Sequence, residues 1–209
     1  MHRFSEIITD MLLHEKLQSY RLILASHSPR RQQLLRDAGL SYLLADKYEV
    51  EENYPATLPA ADVPRFLSKL KSESYPIPLE SNDILITADT VVILDDRIIG
   101  KPQDRADAIA TLQALSGRTH RVITGVTLRS SKQCYSFDSQ TDVHFGPLSD
   151  EQIEYYIDTY KPFDKAGAYG IQEWIGYVAI QGIDGSFYNV MGLPIQKLYN
   201  ELDRFIDQL

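Results

Sequence analysis

Apolar residues fall into short runs and helical stripes separated by polar turns, which predicts alternating strands and helices. The most continuous run, Asp83 to Leu94, reads as a buried central strand with Asp89 in its middle. Asp95-Asp96 reads as a hairpin turn, after which Arg97 to Ile99 returns toward Gly100-Lys101-Pro102. Upstream, Leu22-Ile23-Leu24-Ala25 is a short strand that feeds a polar turn and a helix over Gln32 to Ala38. There Ser28 is placed as N-cap and Pro29 as first helical residue; Leu34, Leu35 and Ala38 form the apolar stripe, and Gly39 ends the helix.

Residues 41–46 are expected to be a second strand, and Pro64 starts an amphipathic helix carrying Phe66, Leu67 and Leu70. Asp104 to Leu115 is a helix stopped by Ser116-Gly117, and Thr119–Leu128 with Gln133–Phe145 forms a long hairpin. Ser149 caps another helix with acids in its first turn. Gly182 to Pro194 reads as loop, and the last helix runs from about Pro194 with Leu198, Leu202, Phe205 and Ile206 on its apolar face. Residues 1–20 suggest an additional N-terminal helix without chemistry of its own, so the functional unit spans 21–209. The order of elements predicts a mixed α/β fold.

Three features bear on chemistry. Arg30 and Arg31 stand in the first turn of a helix, where the positive end of the dipole disfavours cations by roughly 0.3–1 kcal/mol. They are either solvated surface arginines or part of an anion cradle built with the free N–H groups of the helix end. Asp89, a carboxylate inside an apolar strand, must be paired, hydrogen-bonded or metal-bound, as a structural or a functional group. Lys101 projects from the end of a hairpin, and Asp164 to Gln172 carries two glycines that allow backbone to approach a ligand or another strand. Lys71, by contrast, is an ordinary helix lysine on pattern alone.

Composition narrows the classes. A net charge of −8 over 209 residues argues against general binding to nucleic acid or anionic membranes, so cations that handle an anion must be gathered locally. No run is long enough to span a bilayer, and the N-terminus lacks a signal-peptide pattern. A single cysteine, Cys134, excludes an internal disulfide and a cysteine-based zinc site, and the expected compartment is the cytoplasm. His120 and His144 lack metal-ligand spacing and read as structural or solvated.

The segment Leu24-Ala25-Ser26-x-Ser28-Pro29-Arg30-Arg31-x-x-Leu34-Leu35 resembles the signature of the Maf family. Further blocks follow in family order: Leu67-x-x-x-Lys71, Ala88-Asp89-Thr90-Val91-Val92, Gly100-Lys101-Pro102, Leu115-Ser116-Gly117 and Thr124-Gly125-Val126. Asp164 to Gln172, and Gly185-Ser186 through Asn189-Val190 to Gly192-Leu193-Pro194, complete the set. The chain departs from the family pattern at Ser68 and Ser72, which replace alanines, at Glu51 and at Glu173, where glycine is common.

The resemblance implies a central mixed sheet flanked by helices, two lobes around a nucleotide-binding cleft, and a homodimer. It implies a nucleoside triphosphate pyrophosphatase that uses Mg2+ or Mn2+ to release a nucleoside monophosphate and pyrophosphate. The Asp-Thr-Val-Val and Tyr-Gly-Ile-Gln blocks resemble the subgroup that acts on dTTP and UTP. On this basis Asp89 deprotonates or orients the attacking water, and Glu52 and Asp89 hold the metal through hard oxygen donors. Lys71, Lys101 and Lys165 form a cationic clamp with Arg30 and Arg31, and Ser26 donates at the strand end. Arg31 is expected mainly to hold phosphate, while Arg30, Thr90 and Gln172 are tied to base choice. Two rivals stand beside this expectation: a nucleotidyl- or phosphotransferase with an acceptor other than water, and a non-enzymatic nucleotide-binding regulator of septum formation.

Overall fold

A computed structural model describes residues 12–209. Most of the N-terminal helix expected over 1–20 therefore lies outside the described residues. Within them, helix α1 (Leu13–Lys16) leads through a 3-10 turn (Leu17–Ser19) into strand β1 (Arg21–Leu24). Leu13 is buried in the main core, and Lys16 binds Asp203 and Asp207 near the chain end at 2.8 and 2.7 Å.

The remaining elements are α2 (Pro29–Asp37), β2 (Leu43–Leu44), α3 (Val63–Glu73), β3 (Asp83–Leu94), β4 (Arg97–Ile99) and α4 (Arg105–Leu115). They continue through β5 (Thr119–Arg129), β6 (Cys134–Phe145), α5 (Asp150–Tyr160), α6 (Trp174–Ala179), β7 (Ile180–Asp184), α7 (Phe187–Met191) and α8 (Ile195–Ile206). The strands make one mixed sheet ordered β2-β1-β3-β5-β6-β7, with β4 beside β3. The predicted mixed α/β architecture is the one observed. The stretch 182–194, which reads as loop from its Gly and Asn residues, instead contributes the end of β7 and all of α7. Tertiary bonds stabilise these short elements: the buried Asn189 amide donates to the Val122 carbonyl and to Thr141 Oγ1, both at 3.0 Å.

Side-chain alternation along β3 sorts its residues between the two faces of the sheet. Ile84, Ile86, Ala88, Val92 and Leu94 belong to the large core, which also takes buried residues from α2, α4, α5 and α8. Val91 and Ile93 pack on the opposite face with Val63 and Leu67 of α3. The same period of two puts Asp89 on the α3 face and Thr90 on the other. Gly125, opposite Asp89 on β5, lets α3 lie close: a Cβ there would stand 2.3 Å from Pro64 backbone atoms.

The edge of β3 changes partner midway. β1 runs parallel along it from Asp83 to Ile86, and β4 runs antiparallel from Val92 to Leu94. The other edge belongs to β5. Residues 87–91 thus face no strand on one side, beyond the carboxyl end of β1, which is where open α/β sheets place ligands. Asp95 and Asp96, both with positive φ, form the two-residue turn between β3 and β4.

His120 on β5 is 2% exposed and bonds the Tyr169 hydroxyl at 2.7 Å, a structural arrangement. Burial pushes its pKa from 6.5 down to about 4. Between those values the unfolded chain binds the proton that the folded one refuses, so stability rises with pH across the window. The contribution is complete above pH 6.5 and is lost as pH falls toward 4, a change of roughly 3 kcal/mol. Denaturant titrations of the wild type and His120→Gln at pH 7 and pH 4.5 are expected to show the extra acid loss in the wild type only. Equal losses in both proteins would remove His120 from the account.

Candidate active site

The cleft opens at the partner change on β3. β1 ends at Leu24, and Ser26 to Ser28 turn the chain into α2. Ser28 is the N-cap, its Oγ accepting from the Arg31 N–H at 3.5 Å, and Pro29 occupies the first turn. This turn brings both arginines across the unpaired stretch of β3. All ten positions singled out in the sequence (Ser26, Arg30, Arg31, Glu52, Lys71, Asp89, Thr90, Lys101, Lys165 and Gln172) line one cleft of about 570 Å3.

Asp89 is nearly buried and points toward α3, where Lys71 donates to its Oδ1 at 2.6 Å. The same ammonium lies 3.0 Å from Glu52 Oε1. Lys71 is therefore no ordinary helix lysine: it joins two carboxylates from separate segments at one cationic centre. Two carboxylates are hard donors that suit Mg2+ or Mn2+. Among the described residues no group of three or more His, Cys, Asp and Glu is assembled for a metal. A divalent ion held by Glu52 and Asp89 would thus take its other ligands from water and phosphate oxygens, as Mg2+ commonly does.

The two arginines divide their work in a way that spacing does not predict. Arg31 Nε donates to the Gly192 carbonyl at 2.7 Å; Nη1 donates to Ala88 O at 2.8 Å and Ser26 Oγ at 3.1 Å. Its Nη2 donates to Thr90 Oγ1 at 3.0 Å. Four of the five guanidinium N–H groups are thus used inside the protein. Ala88 O is one of the acceptors left without a strand partner, and Arg31 fills that gap. Burial lowers the Arg31 pKa, yet it stays cationic. Besides the phosphate contact expected of it, Arg31 braces the framework at this edge and keeps a cationic face. Arg30 is less committed: Nε meets Met191 O at 3.3 Å and Nη1 meets Asp164 Oδ2 at 3.2 Å.

The far wall comes from residues 162–173. Gly167, at φ 72°, donates its N–H to Gly100 O, which fastens this wall to the segment carrying the exposed Lys101. Lys165 is 8% exposed and binds Asp164 Oδ1 at 2.8 Å and Glu173 Oε1 at 3.2 Å. Burial alone would raise the Asp164 pKa, but Lys165 and Arg30 outweigh it and hold it below the usual carboxylate value. The buried Oε1 of Gln172 has no partner among the described residues. On the sheet side, Thr90 Oγ1 also meets Thr124 Oγ1 at 2.9 Å.

Sequence reasoning misses Asp164 as a lining residue, and Thr124 and Tyr156 as supports of Thr90 and Glu173 behind the lining. Asp164 and Thr124 lie within quoted blocks but carry no signal of charge pairing, and Tyr156 reads as a core residue of its helix. Glu173 is visible only as a departure from the family pattern.

The family profile described as Maf-like protein matches residues 21–205. A dTTP/UTP pyrophosphatase of Bacteroides thetaiotaomicron is 49% identical over 188 residues, covering 90% of this chain and 97% of that protein. A dTTP/UTP pyrophosphatase of Porphyromonas gingivalis is 49% identical over 193 residues, covering 91% and 97%. Among solved structures, a HAM1 protein from Coxiella burnetii aligns at a TM-score of 0.44 and 13% identity, covering 88% of this chain and 99% of that one. The family blocks read from the sequence, the match over nearly the whole chain and the extent of identity agree, and the chain belongs to the Maf family.

Proposed function

We propose that the protein is a nucleoside triphosphate pyrophosphatase that hydrolyses dTTP and UTP, and modified pyrimidine nucleotides of the same shape, to the monophosphate and pyrophosphate. The observation that carries this reading is the meeting of Asp89, Glu52 and Lys71 with Arg30, Lys101 and Lys165 around one cleft. No helix among the described residues is long and apolar enough to cross a membrane. The fitting substrate is a free nucleotide, and the compartment that goes with it is the cytoplasm.

A triphosphate brings about four negative charges, and its hydrolysis requires charge screening, a placed water and a stabilised leaving group. Lys101 and Lys165 supply cations from the far wall, and Arg30 supplies one from the helix end. Glu52 and Asp89 would hold a divalent cation, which when bound would neutralise phosphate charge and polarise the reacting groups. Asp89 accepts or directs the proton of the attacking water. The water oxygen bonds to phosphorus at the α–β anhydride, the bridging P–O bond breaks, and pyrophosphate leaves. Lys71 keeps the two carboxylates close in spite of their repulsion and donates to Asp89.

Base choice falls to Gln172, whose amide offers a donor and an acceptor to a uracil or thymine edge. Sites that hydrogen-bond a substrate edge reject analogues lacking it strongly. In a nucleotide panel with Mg2+ or Mn2+, dTTP and UTP are expected to exceed dATP, ATP and GTP in kcat/KM by about 100-fold, with pyrophosphate and no free phosphate released. Equal rates across the panel would remove the specificity claim, and phosphate release would remove the reaction. Dependence of turnover on an added acceptor would favour the transferase alternative.

A further inference from the structure

Glu173 stands where it can act on two of the proposed substrate-binding positions at once, Lys165 and Gln172. Its carboxylate is little exposed, at 18% of the side chain. One oxygen, Oε1, faces Lys165 Nζ at 3.2 Å; the other, Oε2, accepts from the Tyr156 hydroxyl. That hydroxyl in turn accepts from the Gly170 N–H at 2.9 Å. The Glu173 N–H donates to Gly170 O at 3.0 Å, closing a tight turn with Ile171 and Gln172 at its centre. Gly170 and Glu173 are therefore joined twice, once through backbone and once through the carboxylate and Tyr156. A Cβ on Gly170 would stand 2.9 Å from Glu173 Cδ, so the carboxylate packs directly over that backbone.

We infer that Glu173 is a positioning residue for nucleotide recognition: it fixes the Lys165 ammonium and the turn that presents Gln172, and thereby sets substrate affinity and base selectivity. The inference rests on the pyrophosphatase reading above. Two carboxylates engage two of the three Lys165 N–H donors and aim the third. Without Glu173, Lys165 would keep only Asp164, whose carboxylate is itself shared with Arg30 at 3.2 Å. The Gln172 amide, with an unpartnered oxygen, has little else to hold its direction, so the rigidity of its turn decides where that oxygen points. None of these contacts reaches Asp89, Glu52 or Lys71, so the effect belongs to binding and not to bond breaking.

The test is Glu173→Gln, which preserves shape, keeps an acceptor for Tyr156 and removes the charge opposite Lys165. KM for dTTP and UTP is expected to rise about 10-fold with kcat within about 3-fold, and the dTTP/dATP ratio of kcat/KM to fall about 10-fold. Glu173→Asp keeps the charge but cannot span Lys165 and Tyr156 together, and is expected to lie between. In the double variant with Lys165→Met the loss of affinity should be no greater than in Lys165→Met alone, because that part of the effect runs through the ammonium, while the loss of base selectivity, which runs through the turn, should persist. Unchanged KM and selectivity in both Glu173 variants, a fall in kcat alone, or additive losses of affinity in the double variant would overturn the inference. Wild-type protein inactive on dTTP and UTP would overturn the activity reading itself; active wild type beside unaltered variants would overturn only the role of Glu173.

Discussion

Asp89→Asn is expected to lower kcat for dTTP by about 1,000-fold or more, with the fold and melting temperature close to wild type. The substitution keeps the side-chain shape on β3 and its fit opposite Gly125. It removes the negative charge that faces Lys71 at 2.6 Å and that would share a divalent cation with Glu52. Both services of this residue, proton acceptance and charge-based ligation, need the carboxylate form, so neither survives in the amide. Stability is protected because Lys71 retains Glu52 at 3.0 Å, at a site with one side partly open to solvent. Steady-state kinetics and a thermal melt decide the matter together. Near-normal turnover would return Asp89 to the class of buried structural carboxylates, and a collapsed melt would make the loss uninformative about chemistry.

Arg31→Lys carries the second large effect, and it separates the two accounts of this arginine. A lysine preserves the charge but offers three donors from one point, whereas the guanidinium reaches four acceptors in different directions. Ala88 O would lose its partner at the partner change on β3, where no strand replaces it, and Gly192 O would keep only the long contact from Thr90 Oγ1 at 3.4 Å. Each unsatisfied buried group costs about 1–3 kcal/mol, so a stability loss of roughly 3 kcal/mol is expected, with activity down at least 100-fold. Guanidinium chloride titration measures the first and pyrophosphate release the second. A variant with wild-type stability and only a raised KM would show that Arg31 serves phosphate alone.

Elements whose cause is local are legible in the amino-acid sequence. The apolar run over β3, the Asp95-Asp96 turn, the Ser28 cap with Pro29, and the α5 capping box each depend on residues within a few positions of one another. The ten candidate positions are legible too, through ordered blocks that resemble a family. The interpretation of individual residues is less so. Pattern alone gives Lys71 no distinction, because helix periodicity cannot register Asp89 or Glu52 across the fold. Reading 182–194 as loop follows its Gly and Asn residues correctly as local signals, but α7 owes its order to Asn189 bonds with residues 48 and 67 positions away.

The sequence by itself determined the period of each long strand and helix, the caps and turns between them, and the types of side chain available for handling a triphosphate. Tertiary structure decided which donors those side chains spend on the protein and which remain for a ligand. Arg31 is bound to carbonyls as distant as residue 192, while Lys165 is aimed by its neighbour Asp164 and by Glu173. The reason is physical: periodicity and capping are set by neighbours along the chain, whereas a long charged side chain finds its partners where the fold leaves a carbonyl or carboxylate unpaired, which for Arg31 is the edge of β3 between β1 and β4 and for Lys165 the wall that carries Asp164 and Glu173.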